Sequence, residues 1–135
     1  SAIALMNSGT GPSAAMSYPL GVHYGVPHGI GGGIFLPFVV EHNIKHGFYK
    51  YGNLFCPSNS KGNSKKEKSA LFLDNLNDIW FKLNIPKNLN KFGLERKGIT
   101  NFINDTMDLK GALDQNPVSF YEKEINAVLQ KLLKK

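Results

Sequence analysis

The sequence predicts an all-α fold, a helical bundle, and three observations carry that prediction. Two stretches hold apolar residues at helical spacing: Phe72, Leu76, Ile79 and Leu83 in one, and Ile125, Val128, Leu129, Leu132 and Leu133 in the other. Almost nowhere does the chain show the alternation of a half-buried strand. Proline and glycine punctuate the remainder at distances that suit helices rather than hairpins.

Taken in order, Ser1 to Ser8 is short and apolar and is broken by Gly9 to Pro12. Pro12 suits the first turn of a second helix, because its missing N–H is not needed there, and that helix is expected to run to about Tyr18. Pro19 to Pro27 reads as a connection. The next helix starts near His28 and passes through the glycines to "VVEHNIKHG", where Gly47 is the expected C-cap. Residues 53–66, with Pro57, Gly62 and several Ser and Asn, read as a mobile linker. The helix with Phe72 to Leu83 stops before Pro86. "FGLERKGITNFINDTMDLKGALDQNP" reads as one or two short helices with loops. Ser119 and Glu122 have capping-box spacing and are expected to open the last helix. No internal repeat is visible.

Composition narrows the class. A chain of 135 residues and 14.9 kDa fits one domain with a core of its own. Its single cysteine, Cys56, has no partner for an internal disulfide, so a reducing cytoplasm is the expected compartment. The longest apolar run, Ile34 to Val40, contains Pro37 and falls far short of the ~20 residues a membrane helix needs. "SAIALMNSGT" has neither a basic n-region nor an initiating Met, so it is read as no signal peptide and the chain as a piece of something longer. The net charge of +6 is gathered in "KGNSKKEKS" and "LQKLLKK". A solvated loop and a helix C-terminus explain both, and without a stripe of bases and aromatics no nucleic-acid partner is expected.

The unusual stretch is Ser17 to Gly33, "SYPLGVHYGVPHGIGGG", with two histidines, two prolines and six glycines. Gly9, Gly11 and Ala14 match G-x-G-x-x-G/A, but no strand precedes them and no acidic residue follows at ribose-binding distance. They and the "GIGGG" run read better as glycines that let helices approach closely. His42 and His46, four apart, share a helix face. With no Glu and third ligand in the pattern, they read as exposed histidines at a helix end. His23 and His28 lie in or beside a rigid Gly/Pro connection that can aim an imidazole, which leaves both a ligand role and a catalytic role open.

Pro19-Leu20-Gly21, five residues, then Pro27-His28-Gly29, followed by "FLPFVVEHN", resembles the signature of the iron-containing (group III) alcohol dehydrogenases. "KLNIPKNLNKFGL" resembles that family's LGIP-x-x-L-x-x-x-G stretch, and "NPVSFYEKEINAVLQKLL" resembles its terminal helix, so the resemblance spans nearly the whole chain. In that family these segments form the C-terminal all-helical domain, a fold shared with dehydroquinate-synthase-like proteins. The resemblance therefore implies a single helical domain over residues 1–135: a metal and substrate-cleft half at 1–52, the linker at 53–66 and C-terminal helices at 67–135, with the nucleotide-binding α/β domain absent.

It also implies chemistry. Family members bind NAD(P) on the N-terminal α/β domain and a divalent metal, iron or zinc, in the cleft between domains, on one Asp and three His. His28 matches the last of these ligands. The family's H-x-x-x-H-P-L-G becomes Ala14 through Gly21, so Ala14 stands at a ligand position and Tyr18 at the second His, beside the reacting carbon. A methyl group offers no electron pair, whereas a phenol still binds a hydroxyl or relays a proton. The resemblance thus marks Tyr18 as a catalytic candidate and His28 as a metal candidate. His23, where the family carries an apolar or aromatic residue, is kept as a substrate-binding or surrogate-ligand candidate. The implied activity is interconversion of a small alcohol and its aldehyde in an intact parent, with the chain alone inactive, no metal or NAD(P) required to be bound to it, and homo-oligomers expected. The alternative is a non-catalytic helical binding module that has lost the metal site.

Overall fold

The computed structural model describes residues 10–54 and 62–133, and every regular element among them is helical. The elements are α1 (Pro12–Tyr24), α2 (His28–Lys45), α3 (Lys65–Lys82), α4 (Ile99–Met107), α5 (Lys110–Leu113) and α6 (Glu122–Leu132). Single 3₁₀ turns sit at Lys50–Asn53, Leu89–Phe92 and Arg96–Gly98. The expected helix at Ser1 to Ser8, Gly9 of the G-x-G-x-x-A match, Cys56 and residues 55–61 of the 53–66 linker lie outside the described residues.

α1 begins as read, with Pro12 at its first position after an extended Gly11, but it does not stop at Tyr18. It continues through Pro19 to Tyr24, and the connection shrinks to Gly25 to Pro27. A proline inside a helix costs ~3 kcal/mol through the lost backbone bond and ring clash. Met16 and Leu20, wholly buried on either side of it, return ~1.5–3 kcal/mol each, so packing outweighs the break. The real stop is Gly25, at φ 66°, whose N–H closes on the Gly21 carbonyl. Gly47, at φ 89°, ends α2 as expected.

The connection folds back along α1, and the two helices meet where side chains are smallest. A Cβ on Gly31 would sit 2.9 Å from the Ser17 Cβ, so "GIGGG" is needed at this position for close approach. Further along, the Gly33 carbonyl accepts the Trp80 indole N–H of α3, which seats that helix on α2.

α3 opens on a capping box, with Glu67 N–H donating to Ser64 and Ser64 N–H to the Glu67 carboxylate. Its apolar stripe is only partly used. Leu76 is buried and Phe72 stacks on Tyr51, yet Ile79 and Leu83 remain exposed, because Trp80 and Ile85 turn inward at the far end in their place. The last box is shifted from the expected Ser119 and Glu122: Tyr121 N–H donates to Glu124 at 3.0 Å, and α6 starts at Glu122. Three-residue spacing occurs twice here, and the residue pair that ends nearest the buried α6 face forms the cap.

The core gathers Met16, Leu20, Phe35, Phe102, Phe120, Ile125 and Leu129 from α1, α2, α4, α6 and the segment that leads into α6. Through it runs one polar lock. Asn43 in α2 and Asn116 exchange side-chain amide bonds at 2.9 and 2.7 Å, and Asn43 Nδ2 also donates to the Tyr51 hydroxyl at 2.8 Å. The lock joins "VVEHN" to "NPVSF", and burial raises the Tyr51 hydroxyl above its ordinary pKa of 10.0. Among the described residues no helix is long and apolar enough to cross a membrane.

Candidate functional site

The candidate residues come from α1 and the first turn of α2, which are brought together by the Gly31 contact. His28 is the first residue of α2, exposed, with its Nδ1 2.8 Å from the Ser17 hydroxyl of α1. Ser17 is itself 1% exposed and donates to the Ala14 carbonyl, also at 2.8 Å. Both contacts share one hydroxyl proton. A carbonyl can only accept, so that proton faces Ala14, and the His28 Nδ1–H must donate to Ser17 Oγ. The Nε2 of neutral His28 then carries a lone pair, and among the described residues no partner bonds it.

Tyr18 follows Ser17 on α1 and is 56% exposed, so its ring is no core aromatic. Val22, one turn on and on the same face, is 60% exposed. Ala14, one turn before Tyr18, completes this face and bears no donor atom. Tyr24, by contrast, packs against the core.

His23 points elsewhere. Its Nε2–H donates to the Asp105 carboxylate of α4 at 2.7 Å, and its ring stands edge-on to Tyr24. A shallow cavity of about 380 Å³ beside it is lined by Gly98, Asn101 and Phe102 as well. A separate cavity of about 400 Å³ opens between α2, α3 and α6 around Trp80. His28 and Tyr18 line neither; they stand on open surface.

The second histidine pair is structural, and His42 is not exposed as the sequence suggested. It is half-buried, its Nε2–H donating to the Ser119 carbonyl at 2.9 Å and its ring packing edge-on against Phe120. His46 Nδ1–H donates to the His42 carbonyl at 2.8 Å. Among the described residues no three His, Cys, Asp or Glu side chains stand close enough to hold a metal. Since a protein metal site needs three or four ligands, these residues fit a metal only as contributors of one donor, His28.

Ser17 escaped the sequence reading. Its contact spans a connection whose length was misjudged at Pro19, and a continuous α1 is what sets Ser17 opposite His28 and Gly31.

Comparison with known proteins bears on the fold and the family. The chain is 25% identical over 130 residues to long-chain-alcohol dehydrogenase 1 of Geobacillus thermodenitrificans (strain NG80-2), covering 95% of this chain and 33% of that protein. It is 27% identical over 131 residues to 1,3-propanediol dehydrogenase of Citrobacter freundii, covering 95% and 33%. It is 24% identical over 99 residues to the NADPH-dependent butanol dehydrogenase of Clostridium saccharobutylicum, covering 73% and 26%. The chain thus spans about a third of the length of the first and second of these. The fold matches an alcohol dehydrogenase from Oenococcus oeni with a TM-score of 0.80 at 21% identity, over 97% of this chain and 34% of that one. It matches a 1,3-propanediol oxidoreductase with a TM-score of 0.78 at 23% identity, over 91% and 32%. Residues 1–133 match the C-terminal part of the Fe-containing alcohol dehydrogenase family, and the chain belongs to that family.

Proposed function

We propose that this chain is the C-terminal domain of an NAD(P)-dependent oxidoreductase that interconverts a small alcohol and its aldehyde with a divalent metal, iron or zinc. The observation that carries the reading is the open Nε2 of His28, held at the start of α2 within Pro27-His28-Gly29. His28 contributes one ligand. The family's Asp and a further His lie upstream in the same helical domain, and the nucleotide site belongs to an N-terminal α/β domain, an arrangement supported by the one-third share of its relatives' length that the chain spans. The metal, when bound, supplies Lewis-acid polarisation of the alcohol oxygen, and the nicotinamide takes the hydride.

The chain's own residues shape the other side of that site. Tyr18 presents an exposed phenol able to hydrogen-bond the substrate hydroxyl or pass on its proton. Val22 offers an apolar wall on the same face. His23 enters only through Nδ1, since Asp105 holds Nε2. With one family metal ligand, and no α/β nucleotide-binding domain among the described residues, the chain alone is expected to turn over nothing. A cytoplasmic home fits the lone cysteine, and exposed Phe81 and Leu83 suit self-association.

The test is metal analysis and kinetics of a chain extended to the relatives' full length. Stoichiometric iron or zinc, lost in His28→Ala, is expected. Tyr18→Phe should keep the metal and lower kcat ~10²-fold or more. Ala14 favours a second reading, a helical binding module without chemistry. Absence of metal from both proteins would make that reading the better one.

A further inference from the structure

We propose that Ser17 is a positioning residue that imposes the Nδ1–H tautomer on His28 and so keeps Nε2 free as the donor atom. The role in metal binding rests on the reading of His28 above, but the tautomer does not.

Proton counting leaves one arrangement in which both Ser17 contacts attract. If the hydroxyl proton pointed at His28 Nδ1, the Ser17 and Ala14 oxygens would face each other at 2.8 Å with no hydrogen between them. With the proton on the Ala14 side, each 2.8 Å contact has one donor and one acceptor. Free histidine in water prefers the opposite tautomer, with the proton on Nε2. An imidazole meant to offer Nε2 therefore needs a fixed acceptor at Nδ1, and the other ring nitrogen's bond is what decides which one is open.

Ser17 is suited to that task by its surroundings. It is 1% exposed, so water does not compete for its oxygen, and its own rotor is fixed by Ala14. His28 and Gly31 lie three residues apart on one face of α2, and both meet Ser17. The missing Cβ of Gly31 is what admits Ser17 to hydrogen-bond distance. His42 provides an internal contrast, since its Nε2–H donates to the Ser119 carbonyl and it must hold the other tautomer.

The experiment is a long-range ¹H–¹⁵N correlation spectrum of the chain with ¹⁵N-labelled histidine, at a pH where the rings are neutral. His28 should show a protonated Nδ1 and a pyridine-like Nε2, and His42 the reverse. In Ser17→Ala, with helicity checked by circular dichroism, His28 should revert to mainly Nε2–H. A wild-type His28 spectrum dominated by Nε2–H, or averaged between tautomers, would overturn the inference whatever the variant does. An unchanged His28 pattern in a folded Ser17→Ala would overturn it too. Failure of the metal reading is a separate result: metal retained by His28→Ala in the full-length chain, with the tautomer as expected.

Discussion

Of the polar contacts that tie α2 to its neighbours, two lie near its ends, and they differ in how they finish. At the C-terminal end Asn43 is fully buried, and both its amide donor and its acceptor are matched by Asn116 and Tyr51. At the N-terminal end His28 spends one ring nitrogen on buried Ser17 and leaves the other toward open surface. A buried polar group that is completely satisfied fixes packing, and a group satisfied on one side only is available for chemistry. The same distinction separates His42, closed by Ser119 and Phe120, from His28.

Breaking the closed end should cost the most. Asn43→Ala takes the donor from half-buried Asn116 Oδ1 and from the Tyr51 hydroxyl and leaves a small cavity at a fully buried position, so ~2–4 kcal/mol of stability should be lost in urea denaturation. A change below ~0.5 kcal/mol would show that the lock is no more than surface decoration. Next comes the contact that joins α1 to α2. Gly31→Ala places a methyl 2.9 Å from the Ser17 Cβ and 3.3 Å from its Cα, where backbone cannot yield cheaply. Overpacking of ~1–3 kcal/mol exceeds the ~1 kcal/mol that alanine returns as helix propensity, so the variant should melt lower. Gly32→Ala, with nothing within 4 Å, should melt unchanged or higher.

Smaller effects follow pH. Burial raises the Tyr51 hydroxyl, and the Asn43 bond pulls it back less strongly. The folded state thus holds this proton more tightly than the unfolded one. That stability is whole below about pH 10, the unfolded value, and fades as pH rises through the folded value. Thermal melts of the wild type should therefore fall faster above pH 10 than those of Tyr51→Phe. The smallest change belongs to Glu41, whose carboxyl is lowered below its ordinary 4.5 chiefly by the Lys45 hydrogen bond, with a lesser pull from Lys131. Its contribution is present above that value and fades as pH drops through the folded one. The carboxylate is about a third exposed, so Glu41→Gln should cost under ~0.5 kcal/mol near neutral pH and nothing in strong acid.

Much of this was legible in sequence. Helical spacing gave the all-α class, and it named the core face of α6 residue by residue. Of the glycines read as close approaches, Gly31 makes one, whereas a Cβ on Gly11, Gly29 or Gly32 would meet nothing within 4 Å. Local rules failed where packing outweighed them. Pro19 reads as a break because the cost of proline is local, whereas the burial of Met16 and Leu20 that offsets it is not. Phe72, Leu76, Ile79 and Leu83 read as one buried stripe, but the stripe says nothing of where the neighbouring helix ends. Asn43 and Asn116 lie 73 residues apart, and no spacing rule pairs them. At the site, His28 stood out by its motif, but Ser17 could not, because its partner is fixed by the fold of a connection.

On the proposed function, the open nitrogen of His28, and not another histidine of α2, is the metal ligand that this chain contributes. It is tested most directly by elemental analysis of the full-length chain beside its His28→Ala and His42→Ala variants. Iron or zinc near one per chain is expected in the parent, with retention in folded His42→Ala and loss in His28→Ala. Equal metal in all three proteins would contradict it.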